Sequence, residues 1–280
     1  MKKSVIILIC IAAVALFAVL VYYGAVHVRG VPVKTVEEKG EVLEVPFIDK
    51  TIELDKGIAE DLWSSLKDTD IKLVFQLMVL PWPKSSTPLV KVKAFHNAKD
   101  IYFYMQWIDE TEDKILGINK FSDSSAIMFP MDEKAQTPTL MMGFLGKSDI
   151  WHWKASRDLE FWMKQEPTNN KAYVDKYYPF EDKETLVVSK EIVKSAVNDL
   201  IAIRVGTVTP KENQYVEGRG FYNQGVWRVV FKRSLKAVDP QDDAVFKTGK
   251  RLCAFAVWNG SKAERGGRKS ISDWVTLEIK

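Results

Sequence analysis

Half of the methionines in this 280-residue chain, Met128, Met131, Met141 and Met142, fall between residues 123 and 155, beside Phe129, Phe144, Trp151 and Trp153. A thioether is a soft, polarisable group, and a pocket of thioethers and aromatic rings suits a flat apolar cofactor. The same side chains also fill irregular cores, so composition alone leaves both uses open. Imidazole is scarce. His27 follows the N-terminal apolar run, His96 precedes a turn, and His152 stands between Trp151 and Trp153. A metal held by two histidines would have to use His96 and His152.

Several chemistries are excluded. The two cysteines, Cys10 and Cys253, lie in separate apolar runs, which rules out a thiolate cluster and argues against a disulfide. No C-x-x-C-H segment is present, so any haem is held non-covalently. A Ser-His-Asp set, a P-loop and a G-x-G-x-x-G after a strand are all missing. The pairs Asp109-Glu110, Glu112-Asp113 and Asp242-Asp243 read as solvated acidic loops. A net charge of +3, from 40 basic and 37 acidic residues, gives no reason to expect a nucleic-acid partner.

Five segments occur in a telling order: D-x-x-A-I-M-F-P at 123–130, M-G at 142–143, D-I-W-H-W-K-A at 149–155, A-F-A-V-W-N-G-S at 254–261 and E-R-G-G-R-K-S-I-S-x-W at 264–274. Together they resemble the haem b-binding gamma subunits of ethylbenzene dehydrogenase and its relatives in dimethylsulfide dehydrogenase, selenate, chlorate and perchlorate reductases and nitrate/nitrite oxidoreductases. The likeness covers roughly residues 41–280.

The resemblance implies an iron held by one methionine and one lysine. Met142, beside Gly143, is the first choice and Met128 the second, with Met131 and Met141 behind them. Lys269, in the G-G-R-K-S segment, is preferred to Lys262. Phe129, Trp151, Trp153 and Trp258 would flank the haem. Such a subunit has no catalytic residues of its own. It passes electrons between the iron-sulfur subunit of a molybdenum-containing catalytic partner and an external carrier, a soluble cytochrome or a quinone-linked protein. The competing reading is a ligand-binding module without haem, because the fold also resembles carbohydrate-binding modules of family nine and nine tryptophans could form a sugar-stacking platform.

The elements that must position these groups are mostly strands. Short alternating runs at 71–80, 126–131, 150–153, 200–208, 225–232, 251–258 and 274–279, with an Asn97 to Asp100 turn between two more, predict a mainly β fold, an antiparallel sandwich, which resembles the DOMON-type cytochrome domains. Residues 156–199 read as a more irregular insertion with one helix. The uncharged run at 4–26 has the length of a membrane-spanning helix, so residues 1–30 are expected to anchor the chain, 31–44 to act as linker and 45–280 to form the haem-binding domain. With Lys2 and Lys3 on the cytoplasmic side, the domain would lie on the periplasmic or extracytoplasmic face.

Overall fold

The segments LVKVKAFH and DIYFYMQWI form β4 (Leu89–His96) and β5 (Asp100–Ile108), joined by the expected turn. The Asn97 side chain closes that turn by accepting from the backbone N–H groups of Lys99 and Asp100 at 3.1 and 2.8 Å, as turn asparagines commonly do. The computed structural model describes residues 40–77, 79–80, 82, 87–167 and 193–280.

Around this hairpin stand β2 (Thr69–Lys72), β10 (Glu217–Asn223) and β11 (Val226–Ser234), giving a five-stranded antiparallel sheet in the order β10-β11-β5-β4-β2. The second sheet holds β1 (Val42–Val45), β14 (Val275–Ile279), β12 (Gly249–Trp258), β6 (Ser124–Pro130), β7 (Ser148–Lys154), β8 (Val197–Ala202) and β9 (Thr209–Pro210), in that spatial order. A side branch of β13 (Ser270–Ile271) and β3 (Val74–Phe75) pairs with β12. Among the described strands only β1 and β14 pair in parallel.

The sandwich core follows from period-two alternation. Ile101, Phe103, Met105 and Trp107 of β5 meet Ile127 and Phe129 of β6, Trp151 and Trp153 of β7, and Cys253, Phe255 and Val257 of β12. Ring centroids lie 4.8 Å apart for Phe129 and Trp151 and 5.0 Å for Trp153 and Trp227. Burying one such ring contributes roughly 4–6 kcal/mol gross. Both sheets are also covered on their outer faces. Phe95, Tyr102, Tyr104 and Val230 lie under Trp63 of the short helix α1 (Glu60–Ser64). The outer face of the larger sheet carries the site described next.

Local structure departs from the sequence expectations in three places. β1 begins in the last residues of the stretch expected as linker, because Leu43 and Val45 are buried alongside β14. The expected strand at 200–208 ends at Ala202, where the Thr207 hydroxyl accepts from the backbone of Ile203 and Arg204 and turns the chain. The irregular insertion opens with the helix α2 (Ala155–Met163) and its last residues belong to β8, while 168–192 lie outside the described residues. The expected anchor also lies outside them. Among the described residues no helix is long and apolar enough to cross a membrane.

Candidate cofactor site

Residues that alternate with the core side chains face outward on β6, β7 and β12, and several are small. His152, Ala126, Ala256 and Ile271 stand side by side across four strands, with Ile150, Met128 and Ala254 in the next row. With neighbouring strands ~4.8 Å apart, the first row spans about 14 Å. Alanines at three of these seven positions leave a flat apolar floor. Leu140, Met141, Phe144, Trp258 and Trp274 pack around it.

The roof is the loop between β6 and β7. Its single helical turn, Leu140–Met142, is fixed by Asp273, whose carboxylate accepts from the Leu140 backbone N–H and the Thr139 hydroxyl, each at 2.7 Å. Trp274 adds a hydrogen bond from its indole N–H to the Thr137 carbonyl at 3.0 Å. Met142 closes this turn, and Gly143 follows at a φ of 89°.

The side wall is the hairpin between β12 and β13. Asn259 caps its first turn by accepting from the Lys262 N–H at 3.0 Å. A two-glycine turn then pairs Arg265 with Arg268. Gly266 has a φ of 55°, and a Cβ on Gly267 would stand 2.6 Å from Val79 Cγ2, so both positions require glycine. The Trp258 indole N–H bonds to the Gly266 carbonyl at 2.9 Å, and the Gln76 N–H to that of Lys269 at 2.8 Å.

Lys269 Nζ thereby sits 4.8 Å from the centroid of the Trp258 ring. The amine has no hydrogen bond or ion pair among the described residues. Burial alone pushes its pKa down from 10.5 to about 8. Below Trp258 the His152 ring stacks at 4.7 Å. Burial first, then the charges of Lys154, Lys269 and Arg157, hold His152 well below its ordinary proton affinity, so it is neutral.

An amine shielded by an indole and without an ion pair among the described residues, beside an apolar floor of small residues and a methionine-rich loop, is a donor set for a metal in a flat apolar ligand. Residues 60–270 match the ethylbenzene dehydrogenase family. The chain belongs to that family. Relatives of this family member include a protein assigned as the respiratory nitrate reductase heme subunit ORF7 of Haloferax mediterranei, 26% identical over 76% of this chain and 64% of its own length. The chlorate reductase subunit gamma of Ideonella dechloratans is 23% identical over 70% and 66%. The dimethylsulfide dehydrogenase subunit gamma of Rhodovulum sulfidophilum is 25% identical over 66% and 58%. The matched stretch thus spans less than two thirds of each relative. Among solved structures, a family 9 carbohydrate-binding module of Caldicellulosiruptor kristjanssonii in complex with glucose overlays with a TM-score of 0.43 at 8% identity, over 86% of this chain and 96% of that one. No functional statement follows from so loose an overlap.

The family's motifs do not all meet in one place. Met128, Trp258 and Lys269 gather on the outer face, under the turn that ends in Met142. Phe129, Trp151 and Trp153, expected to flank the same ligand, face the opposite way and are fully buried between the sheets. Strand alternation forbids them from sharing a face with Met128 and His152. Lys262 is exposed. His96 lies in the other sheet, its Nε2 2.8 Å from the Lys280 carbonyl, and so is not brought to His152. The floor residues Ala126, Ala254 and Ala256 were missed. Their signal was an alanine at every second position of A-F-A-V-W, facing the alanine of A-I-M-F-P. A depression of about 490 Å³ lined by Lys50, Thr51, Ala59, Glu60, Asp61 and Leu62 contains none of these residues.

Two acidic stretches read as solvated prove to be buried in part. Asp109 accepts from Asn259 Nδ2 at 2.8 Å, and nearby Asp123 accepts from the Gly260 N–H at 2.8 Å, the Asp113 N–H at 2.7 Å and the Trp227 indole at 2.9 Å. These bonds fasten the hairpin that bears Lys269. Burial and the charge of Asp109 push Asp123 up to about 7. Glu264, bonded to the Asn259 N–H, is pushed by burial to about 7 as well. The other stretch supplies Asp243, which joins Asp149 and Asp199 around Lys211.

Proposed function

We propose that this family member is a b-type cytochrome subunit, an electron-transfer component of an extracytoplasmic molybdenum oxidoreductase, holding one haem b non-covalently on the outer face of its larger sheet. Lys269 is the lysine ligand and Met142 the methionine ligand, with Lys262 and Met128 as the alternates the experiment must defeat. The observation that carries this reading is the Lys269 amine, 4.8 Å from the Trp258 ring centroid and without an ion pair among the described residues, its pKa pushed down by burial to about 8.

Bound haem supplies a one-electron iron couple. The chain's own residues do the rest. Lys269 gives up its proton more readily than a free lysine because burial disfavours its charge and no carboxylate among the described residues pairs with it. Trp258 and the neutral His152 stack beneath that amine and fix its height over the sheet. Ala126, Ala254 and Ala256 permit a flat group to lie against the strands, and Leu140, Phe144, Ile150, Ile271 and Trp274 keep water from it. A methionine thioether among the ligands would favour the ferrous state.

The partners in this reading are an iron-sulfur subunit and a molybdenum-containing catalytic subunit, with a soluble cytochrome or quinone-linked carrier beyond them. Residues 4–26 tether the domain to the membrane. Support comes from the relatives' names, two gamma subunits and one heme subunit of a respiratory nitrate reductase. A sugar-stacking platform finds less support, since Trp63, Trp107, Trp151, Trp153, Trp227 and Trp258 are buried and Trp82 is the single exposed tryptophan.

Haem b added to the purified domain tests the reading by optical spectroscopy. A low-spin, six-coordinate spectrum is expected in the wild type and in Lys262→Ala. Lys269→Ala should turn high-spin or water-ligated, and Met142→Ala should lose the thioether signature while Met128→Ala keeps it. No haem uptake by the wild type sinks the cytochrome reading. An unchanged spectrum in Lys269→Ala and Met142→Ala moves the ligands to Lys262 and Met128.

A further inference from the structure

The hairpin from Asn259 to Lys269 carries four cationic side chains, Lys262, Arg265, Arg268 and Lys269, and none has a carboxylate within ion-pair distance among the described residues. Its one acid, Glu264, is buried, and one of its oxygens is taken by the Asn259 N–H. The two-glycine turn sets Arg265 and Arg268 directly opposite each other. Like charges so placed repel, and the proximity of Arg268, added to partial burial, depresses the proton affinity of Arg265. Arg265 is steadied by its bond to the Ala263 carbonyl at 2.9 Å and by the Phe121 ring at 4.3 Å. Arg268 Nε is shielded from solvent and has no hydrogen-bond partner among the described residues.

Two cations drawn into the core elsewhere have anions. Lys211 has three carboxylates and Arg233 has Asp149 at 2.9 Å. A turn that keeps two guanidiniums opposed with no ion pair among the described residues, Arg268 feeling only the more distant charge of Glu264, is suited to an anion from outside the chain. The turn abuts the candidate cofactor site, because its Gly266 carbonyl accepts from the same indole on which the Lys269 amine rests. The shielded Arg268 Nε favours a small carboxylate over the flat surface of a partner protein.

Resting on the haem reading above, we infer that Arg265 and Arg268 form the site for the propionate carboxylates of the bound porphyrin, with Arg268 making the direct contact. Arg265 supplies the second positive charge. The pair sets which edge of the ring lies toward the hairpin.

The test compares haem b with haem b dimethyl ester, whose propionates are neutral, by optical titration of the wild-type domain and of Arg268→Gln, Arg265→Gln and the double variant. The wild type is expected to bind haem b roughly tenfold to a hundredfold more tightly than the diester, the range of one or two charge-assisted hydrogen bonds. Arg268→Gln should erase most of that preference, Arg265→Gln a smaller part, and neither should alter diester binding. Equal wild-type affinity for haem b and the diester overturns the assignment without any substitution. So does a preference that survives in the double variant. Failure of the wild type to take up either compound rejects the haem reading itself, and is distinguishable on that ground. Circular dichroism confirms that each variant is folded.

Discussion

Lys211 and Lys269 are two amines taken into the protein with opposite company. Lys211 Nζ lies 2.8 Å from Asp149, 2.7 Å from Asp199 and 2.9 Å from Asp243. Burial disfavours its charge, but the three carboxylates outweigh burial and raise its proton affinity above that of a free lysine. Lys269 has the face of an indole and, among the described residues, no anion, and its pKa falls to about 8. The first arrangement makes the amine a permanent cation that ties β7, β8 and the β11–β12 connection together. The second keeps it close to neutrality and costs stability, which is the condition for a donor to a metal.

Removing the first amine should have the largest effect. Lys211→Met leaves Asp199 with no cation and Asp149 with Arg233 alone. Uncompensated buried charge of this kind costs roughly 3–5 kcal/mol. Urea unfolding should show that loss at pH 7, and a loss below 1 kcal/mol would dissolve the contrast between the two lysines.

Lys269→Met should do the reverse in the cofactor-free domain, changing stability at neutral pH by less than ~1 kcal/mol or raising it, since an unpaired amine gives way to an apolar chain. A pH dependence accompanies it. The folded pKa of about 8 lies below the ordinary 10.5, so between those values the unfolded chain binds more protons. Stability should rise with pH over that window, and Lys269→Met should remove the rise. Melting temperatures recorded from pH 7.5 to 10.5 on both proteins measure it, and parallel curves would place a counter-ion beside Lys269.

The smallest effect concerns the hairpin's buried acid. Glu264 is raised by burial from 4.5 to about 7. Between those values the folded state holds the extra proton, so stability should fall as pH rises through the window. Glu264→Gln should flatten that part of the curve. Asp123 and Asp199 slope the same way, so the difference between Glu264→Gln and wild type, rather than the total slope, is the quantity to read.

The sequence by itself determined a good deal. Period-two alternation marks the strands, Asn97 marks the hairpin turn, the missing cysteine motifs exclude covalent haem and iron-sulfur clusters, and the ordered motifs carry the family. All of these depend on neighbours within a few residues, where propensity and spacing act directly. Only the tertiary structure decided which strand face became core. Phe129, Trp151 and Trp153 were read with Met128 and Trp258 as the lining of one pocket, yet alternation sends them to opposite sides, and which side is interior depends on the second sheet. The acids show the same limit. Asp109 looks solvated in its own loop, because the donor that permits its burial, Asn259, lies 150 positions away along the chain. A charge's cost depends on what surrounds it in space, and no local pattern records that.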